Sequence, residues 1–212
     1  MPSQPPKRAL VVIDVQNEYF ERGCLPIEHP PRTRTLPNVA AAMDAARQAA
    51  VPVVVVQHHA AKGAPLFQPG THAAELHEAV AGRPRDHLVT KAFPSAFAGT
   101  DLAEWLAARH IDTLSVAGYM TQHCVASTIF EGMHRGFTME FLHDASGALS
   151  YANAAGRASA EDIHRVLSVV FHSSFAAVAS TAAWVEAVQQ HQPLPRDNLV
   201  LSNRRALEMP AR

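Results

Sequence analysis

Two unbroken apolar runs constrain the fold more than anything else in this sequence: Ala9-Leu10-Val11-Val12-Ile13 and Val51-Pro52-Val53-Val54-Val55-Val56. Each is short, rich in β-branched residues, and lacks the alternation that a strand with one wet face would show. Such runs read as strands covered on both faces, which calls for a parallel sheet with helices above and below. The proline of the second run is tolerated because it stands at the start of the strand.

The rest of the chain supplies the covering layers. After a Pro-rich surface loop over 23–34, Pro37 suits the first turn of a helix, with Leu36, Ala40, Met43 and Ala46 at helical spacing to about Ala50. Thr71 could cap a short helix near 72–81, and a third strand over 87–90 ends at Lys91. A helix opened by Gly99-Thr100-Asp101 carries Leu102, Trp105 and Leu106 on one face. The fourth strand covers 113–118, a helix follows from about 122 to 135, and a fifth strand spans 137–142. Ser159-x-x-Asp162 resembles a capping box heading a helix to about Val170. A last short strand over 175–178 precedes a helix capped by Ser180 or Thr181. This alternation predicts an α/β fold, a three-layer sandwich with a mostly parallel, doubly wound (Rossmann-like) sheet of about six strands. One domain over 1–212 is expected, with its core at about 8–188 and a tail, 192–212, on the surface or reaching a partner subunit.

Composition narrows the functional classes. With 48% apolar and 17% charged residues, 212 residues suffice for a substantial core and exclude general disorder. Eighteen Lys+Arg against nineteen Asp+Glu, without a basic block, speaks against nucleic acid or an anionic membrane as partner. No apolar run reaches the ~20 residues of a membrane span, and the polar N-terminus does not read as a signal peptide. Two cysteines, Cys24 and Cys124, give no disulfide framework and suit a reducing, cytoplasmic setting. No G-x-G-x-x-G or phosphate loop follows the first strand, so nucleotide binding is set aside.

In open α/β sheets, ligands bind beyond the carboxyl ends of the strands, near the point where strand order reverses. Three chemically complementary residues stand at such ends: Asp14 after the first strand, Lys91 after the third, and Cys124 just past the fourth. Singly, each has a plainer explanation, as a helix cap, a solvated loop lysine and a small buried thiol. Together they describe acyl transfer through a thioester, with a nucleophile, a base and a cation. A cysteine in the first turn of a helix is exposed to free N–H groups and the positive dipole end, which favour a reactive thiolate and can hold an oxyanion. His123 is expected to point about 100° away from its neighbour and not to pair with the thiol. Cys24 has no comparable support.

The segments Leu10-Val11-Val12-Ile13-Asp14-Val15-Gln16-Asn17-Glu18-Tyr19-Phe20, then Lys91, then Val116-Ala117-Gly118-Tyr119-Met120-Thr121-Gln122-His123-Cys124-Val125 resemble, in order, the isochorismatase-like cysteine hydrolases. That superfamily includes nicotinamidases, N-carbamoylsarcosine amidase, ureidoacrylate amidohydrolases and streptothricin hydrolase. The resemblance implies that Asp14 is the base, Cys124 the nucleophile, and Lys91 the residue that positions and polarises both. It also implies a non-proline cis peptide at Tyr119-Met120 that aims the Met120 and Cys124 amides at the oxyanion. Having a thiol at position 124 favours C–N hydrolysis over the vinyl-ether cleavage of isochorismatases proper. The substrate is then a small amide, ureido compound or lactam. Homodimers or larger homo-oligomers are common in that superfamily, and no cofactor is needed.

One departure stands out. Nicotinamidases carry a metal-binding Asp-x-His with a further His after the second strand; here the segment is Gln57-His58-His59-Ala60-Ala61-Lys62. Adjacent histidines on extended chain point to opposite sides and His72 and His77 do not share a helix face, so no metal is expected. The substrate wall is assigned to Gln16, Phe20, Leu25, His58, Phe97, Tyr119 and Thr128, with one of His58 and His59 facing the pocket. The rival class is a non-catalytic small-molecule- or protein-binding member of the same fold, with an unreactive Cys124.

Overall fold

The computed structural model, which describes residues 4–209, puts the first apolar run at the middle of the sheet. The outermost residues of the polar N-terminus (1–3) and of the tail (210–212) lie outside the described residues. The strands are β1 (Arg8–Ile13), β2 (Val53–His58), β3 (His87–Lys91), β4 (Thr113–Tyr119), β5 (Thr138–Gly147), β6 (Tyr151–Asn153), β7 (Gly156–Ala158) and β8 (Ala177–Ala179). The helices are α1 (Arg32–Gln48), α2 (Glu78–Ala81), α3 (Leu102–Ala107), α4 (Ala126–His134), α5 (Ala160–Val170), α6 (Thr181–Gln189) and α7 (Leu199–Glu208). Six strands form one sheet in the order β3-β2-β1-β4-β5-β8, every pairing parallel. The chain leaves β1 in one direction toward β2 and returns later to add β4 on the other side, so strand order reverses between β1 and β4. This is the α/β three-layer architecture the sequence predicts.

β1 shows why both faces are apolar. Leu10 and Val12 join Val53 and Val55 beneath α1 and α6, where Val39, Met43, Ala46, Trp184 and Val188 complete one core. Ala9, Val11 and Ile13 face the opposite layer with Leu102, Leu106, Ile129 and Phe171. Full burial of each Val, Leu or Ile stabilises the fold by about 2 kcal/mol. At the end of the sheet away from the switch point, a buried ion pair is fully provided for. Arg8 grips Glu140 through Nε and Nη2 at 2.8–3.1 Å, while Ser115 Oγ (2.6 Å) and Trp184 Nε1 (3.2 Å) donate to the same carboxylate.

Several local expectations change. α1 begins at Arg32, not near Pro37: Pro31 is its N-cap, and its carbonyl accepts the Arg34 and Thr35 amides at 2.8 and 3.1 Å. Pro37 therefore sits within the second turn, where it forgoes one helical bond. The helix expected over 72–81 is a 3₁₀ turn at His72–Ala74, capped by Thr71, followed by the single turn α2. β5 runs past Leu142 to Gly147, rejoining β4 at Gly118 and Tyr119 after a register shift. His143 and Asp144 in that extension hid it from a hydropathy reading. The hairpin β6–β7 was not expected, and the tail forms α7, whose residues Leu199, Val200 and Leu207 are 63%, 66% and 79% exposed. The capping box is present: Ser159 Oγ accepts the Asp162 amide at 3.1 Å, and Ser180 caps α6. Among the described residues no helix is long and apolar enough to cross a membrane.

Candidate active site

The switch point gathers Asp14, Lys91 and Cys124. Asp14 is the first residue past β1, in a left-handed conformation (φ 49°) that Asp tolerates better than most side chains. Lys91 is the last residue of β3, and Cys124 lies in a π-helical turn, Thr121–Val125, between β4 and α4. All three are buried, at 0%, 2% and 3% exposure. Lys91 Nζ is 2.7 Å from Asp14 Oδ2 and donates to Cys124 Sγ at 3.2 Å. It also lies 3.2 Å from His58 Nδ1 and donates to the Phe93 carbonyl at 3.2 Å. The Asp14 contact is a buried ion pair.

Burial governs the electrostatics. It pushes the Asp14 carboxyl above its ordinary range against the opposing pull of Lys91, making the carboxylate a stronger base. Burial also pushes the Cys124 thiol up, reinforced by the Asp14 charge and only partly opposed by Lys91. The expected pull toward a thiolate therefore meets an opposing effect: desolvation of the sulfur and the Asp14 charge favour the neutral thiol, against the nearby ammonium. His58 is held down to about 4, chiefly by burial and then by Lys91, so it is a neutral imidazole able to accept from the ammonium.

Close beside the thiol, the Tyr119–Met120 peptide is cis, and Met120 precedes the π-helical turn. The carbonyl of Met120 accepts from His123 and Val125 at 3.0 and 3.3 Å, while its own N–H has no acceptor among the described residues. The turn also brings His123 Nδ1 to 3.5 Å from Cys124 Sγ, contrary to the expected divergence. The reason is that a π turn rotates successive residues by less than the 100° of an α-helix.

Of the residues assigned to the substrate wall, His58 meets the Lys91 ammonium through Nδ1, while the His59 backbone N–H donates to the Lys91 carbonyl at 2.9 Å. Gln16 is buried and spent on the backbone, donating to the His58 and Ala74 carbonyls and accepting the His58 amide. Thr128 donates to the Cys124 carbonyl (2.7 Å) and accepts the Ala96 amide (3.0 Å), tying α4 to the loop after β3. Phe97 packs in the opposite layer against Phe137, with the Arg135 guanidinium over its ring. In all three, the polar groups or the ring are engaged within the fold. Tyr119 is fully buried with its hydroxyl 2.7 Å from Thr35 Oγ1, and Leu25 packs on the core. Phe20 stacks near His77 (centroids 4.2 Å) and lines a groove of about 520 Å³ with Arg22, Arg32 and Leu36, which none of the three buried groups lines.

Residues missed by sequence reasoning are Thr121, Ser146 and His164, bonded in series behind the turn, and Glu18, whose buried carboxylate accepts the Cys24 and Phe67 amides. Glu18 and Thr121 lie inside the quoted motifs, which is their only signal; Ser146 and His164 depend on β5 and α5 meeting. Among the described residues no group of three or more His, Cys, Asp or Glu could hold a metal ion.

A family model described as the isochorismatase domain matches residues 8–183. A solved structure from Burkholderia xenovorans LB400, provisionally described as an isochorismatase, is 60% identical with a TM-score of 0.95, covering 96% of this chain and 98% of that one. The secreted isochorismatase effector Isc1 of Verticillium dahliae is 37% identical over 65% of this chain and 71% of its own length. A streptothricin hydrolase of Streptomyces noursei is 35% identical over 65% of this chain and 49% of its own length.

Proposed function

The chain belongs to the isochorismatase family, and from that premise we propose that it is a cysteine-dependent hydrolase cleaving a C–N bond of a small amide, ureido compound or lactam. The observation that carries the reading is one ammonium, Lys91 Nζ, lying 2.7 Å from a buried carboxylate and 3.2 Å from a buried thiol at the strand switch point. In the proposed cycle Asp14 takes the Cys124 proton as sulfur attacks the carbonyl carbon. The C–S bond forms, and the Met120 and Cys124 amides bind the oxyanion. The C–N bond then breaks and Asp14 returns its proton to the departing amine. Water attacks the thioester, gives a proton to Asp14, and the C–S bond breaks to release the acid; that proton restores the thiol. With both pKa values pushed up, proton transfer accompanies attack rather than preceding it. No cofactor enters the cycle, the domain is taken as one unit over 1–212, and two free cysteines suit a reducing cytoplasm.

The raised thiol is also what a non-catalytic binding member of the fold would show, so alkylation at low pH does not separate the two readings. A panel of small amides, ureides and lactams, assayed with the parent and with Cys124→Ala, does. Turnover with an acyl adduct on Cys124 by intact mass supports the hydrolase; turnover that survives the substitution refutes it.

A further inference from the structure

Behind the turn that carries Met120 and Cys124, three buried polar side chains from different elements form a single file. His164 Nδ1, on α5, is 2.9 Å from Thr121 Oγ1; Thr121 Oγ1 is 3.1 Å from Ser146 Oγ on β5; and Ser146 Oγ donates to the Gly118 carbonyl at 2.6 Å. His164 is 5% exposed, and Thr121 and Ser146 are fully buried. The file has one direction. Ser146 has a single proton and spends it on the Gly118 carbonyl, so it accepts from Thr121, and Thr121 in turn accepts from His164 Nδ1–H. The file holds the chain at Gly118 and Thr121, immediately before and after Tyr119 and Met120.

We propose that His164 is a positioning residue for the oxyanion-binding turn: through Thr121 and Ser146 it clamps both flanks of Tyr119–Met120 and so fixes where the Met120 N–H points. This rests on the hydrolase reading above, in which that N–H stabilises the tetrahedral oxyanion. A packing role alone accounts poorly for an imidazole here. Its ring lies 6.1 Å from that of Phe141 and is 5% exposed, and burying an imidazole is costly where an apolar side chain would pack freely. His164 is held down to about 4 by burial and by the neighbouring His143 and His29, so the donor is a neutral imidazole at pH 7.

Two reactions of Cys124 separate aim from integrity. Acylation by 4-nitrophenyl acetate passes through an oxyanion, whereas alkylation by iodoacetamide does not. Both are followed on the Cys124 peptide by mass. His164→Ala and Thr121→Val are expected to slow acylation at least ~10-fold, a fraction of the loss from deleting an oxyanion donor, and to leave alkylation at the parent rate. His164→Asn, whose amide reaches Thr121 from a position near that of Nδ1, and Thr121→Ser are expected to restore acylation. Parent-like acylation in His164→Ala overturns the proposal alone, as does a parallel fall in both reactions that Asn does not rescue. A parent protein that alkylates at Cys124 but never acylates there overturns the hydrolase reading and this inference with it.

Discussion

Asp14 shows most directly how residue chemistry and backbone geometry are joined. Its left-handed φ turns the chain away from β1 while its carboxylate remains buried against Lys91 and the thiol. Asn tolerates the same backbone region and has nearly the same shape, so Asp14→Asn removes the base, and with it the negative partner of the buried Lys91 ammonium, without changing the backbone. Turnover of the substrate found by the amide panel is expected to fall by about 10²–10⁴ in protein that circular dichroism shows to be folded. Equal turnover in the variant would remove Asp14 as the base. His164 leads to a pH prediction. Its pKa is about 4 in the fold and about 6.5 in the unfolded chain. Between those values the unfolded chain binds a proton that the fold refuses. The neutral imidazole's contribution is thus fully present above pH 6.5 and lost as pH falls toward 4. Urea unfolding at pH 7 and 4.5 is expected to show a loss of about 2–3 kcal/mol from this group, absent from His164→Asn; identical losses in the two proteins would contradict it.

Among the elements, the junction of β1 and β4 matters most, because the thiol and the carboxylate hang from those two strand ends. Gly118 pairs with Ile13 there, has φ 106°, and a Cβ on it would meet the Ile13 carbonyl oxygen at 2.1 Å. Gly118→Ala therefore faces both backbone strain and a collision with main chain that cannot swing aside. A loss of about 3 kcal/mol or more is expected, read as a lowered melting temperature or as absence of folded protein. A variant melting with the parent would mean the strands do not approach this closely. The elements also show which signals in the sequence are reliable. β1 and β2 are legible because continuous apolar runs rich in β-branched residues have one physical explanation, burial on both faces. α2, the extension of β5 and the β6–β7 hairpin were not, since short polar segments take their conformation from what they pack against.

At the scale of the whole molecule, α7 remains open. Leu199, Val200 and Leu207 are largely exposed on a helix that lies outside the two cores, and Val200 and Leu207 are seven residues apart on one face. That is the character expected of a tail reaching a second copy of the chain. Sedimentation should show an oligomer for the parent and a smaller species for Val200→Asp with Leu207→Asp. A parent that sediments as a monomer would dispose of the arm.

The sequence by itself determined the parallel sheet, the reversal of strand order and the three strand ends where Asp14, Lys91 and Cys124 stand, because hydrophobic continuity and residue order are local properties. Only the tertiary structure decided the state of those groups. Burial from all sides raised both the thiol and the carboxyl, a π turn brought His123 back over the sulfur, and scaffold bonds claimed Gln16 and Thr128. Desolvation and hydrogen-bond occupancy depend on neighbours distant along the chain, and no local pattern encodes them.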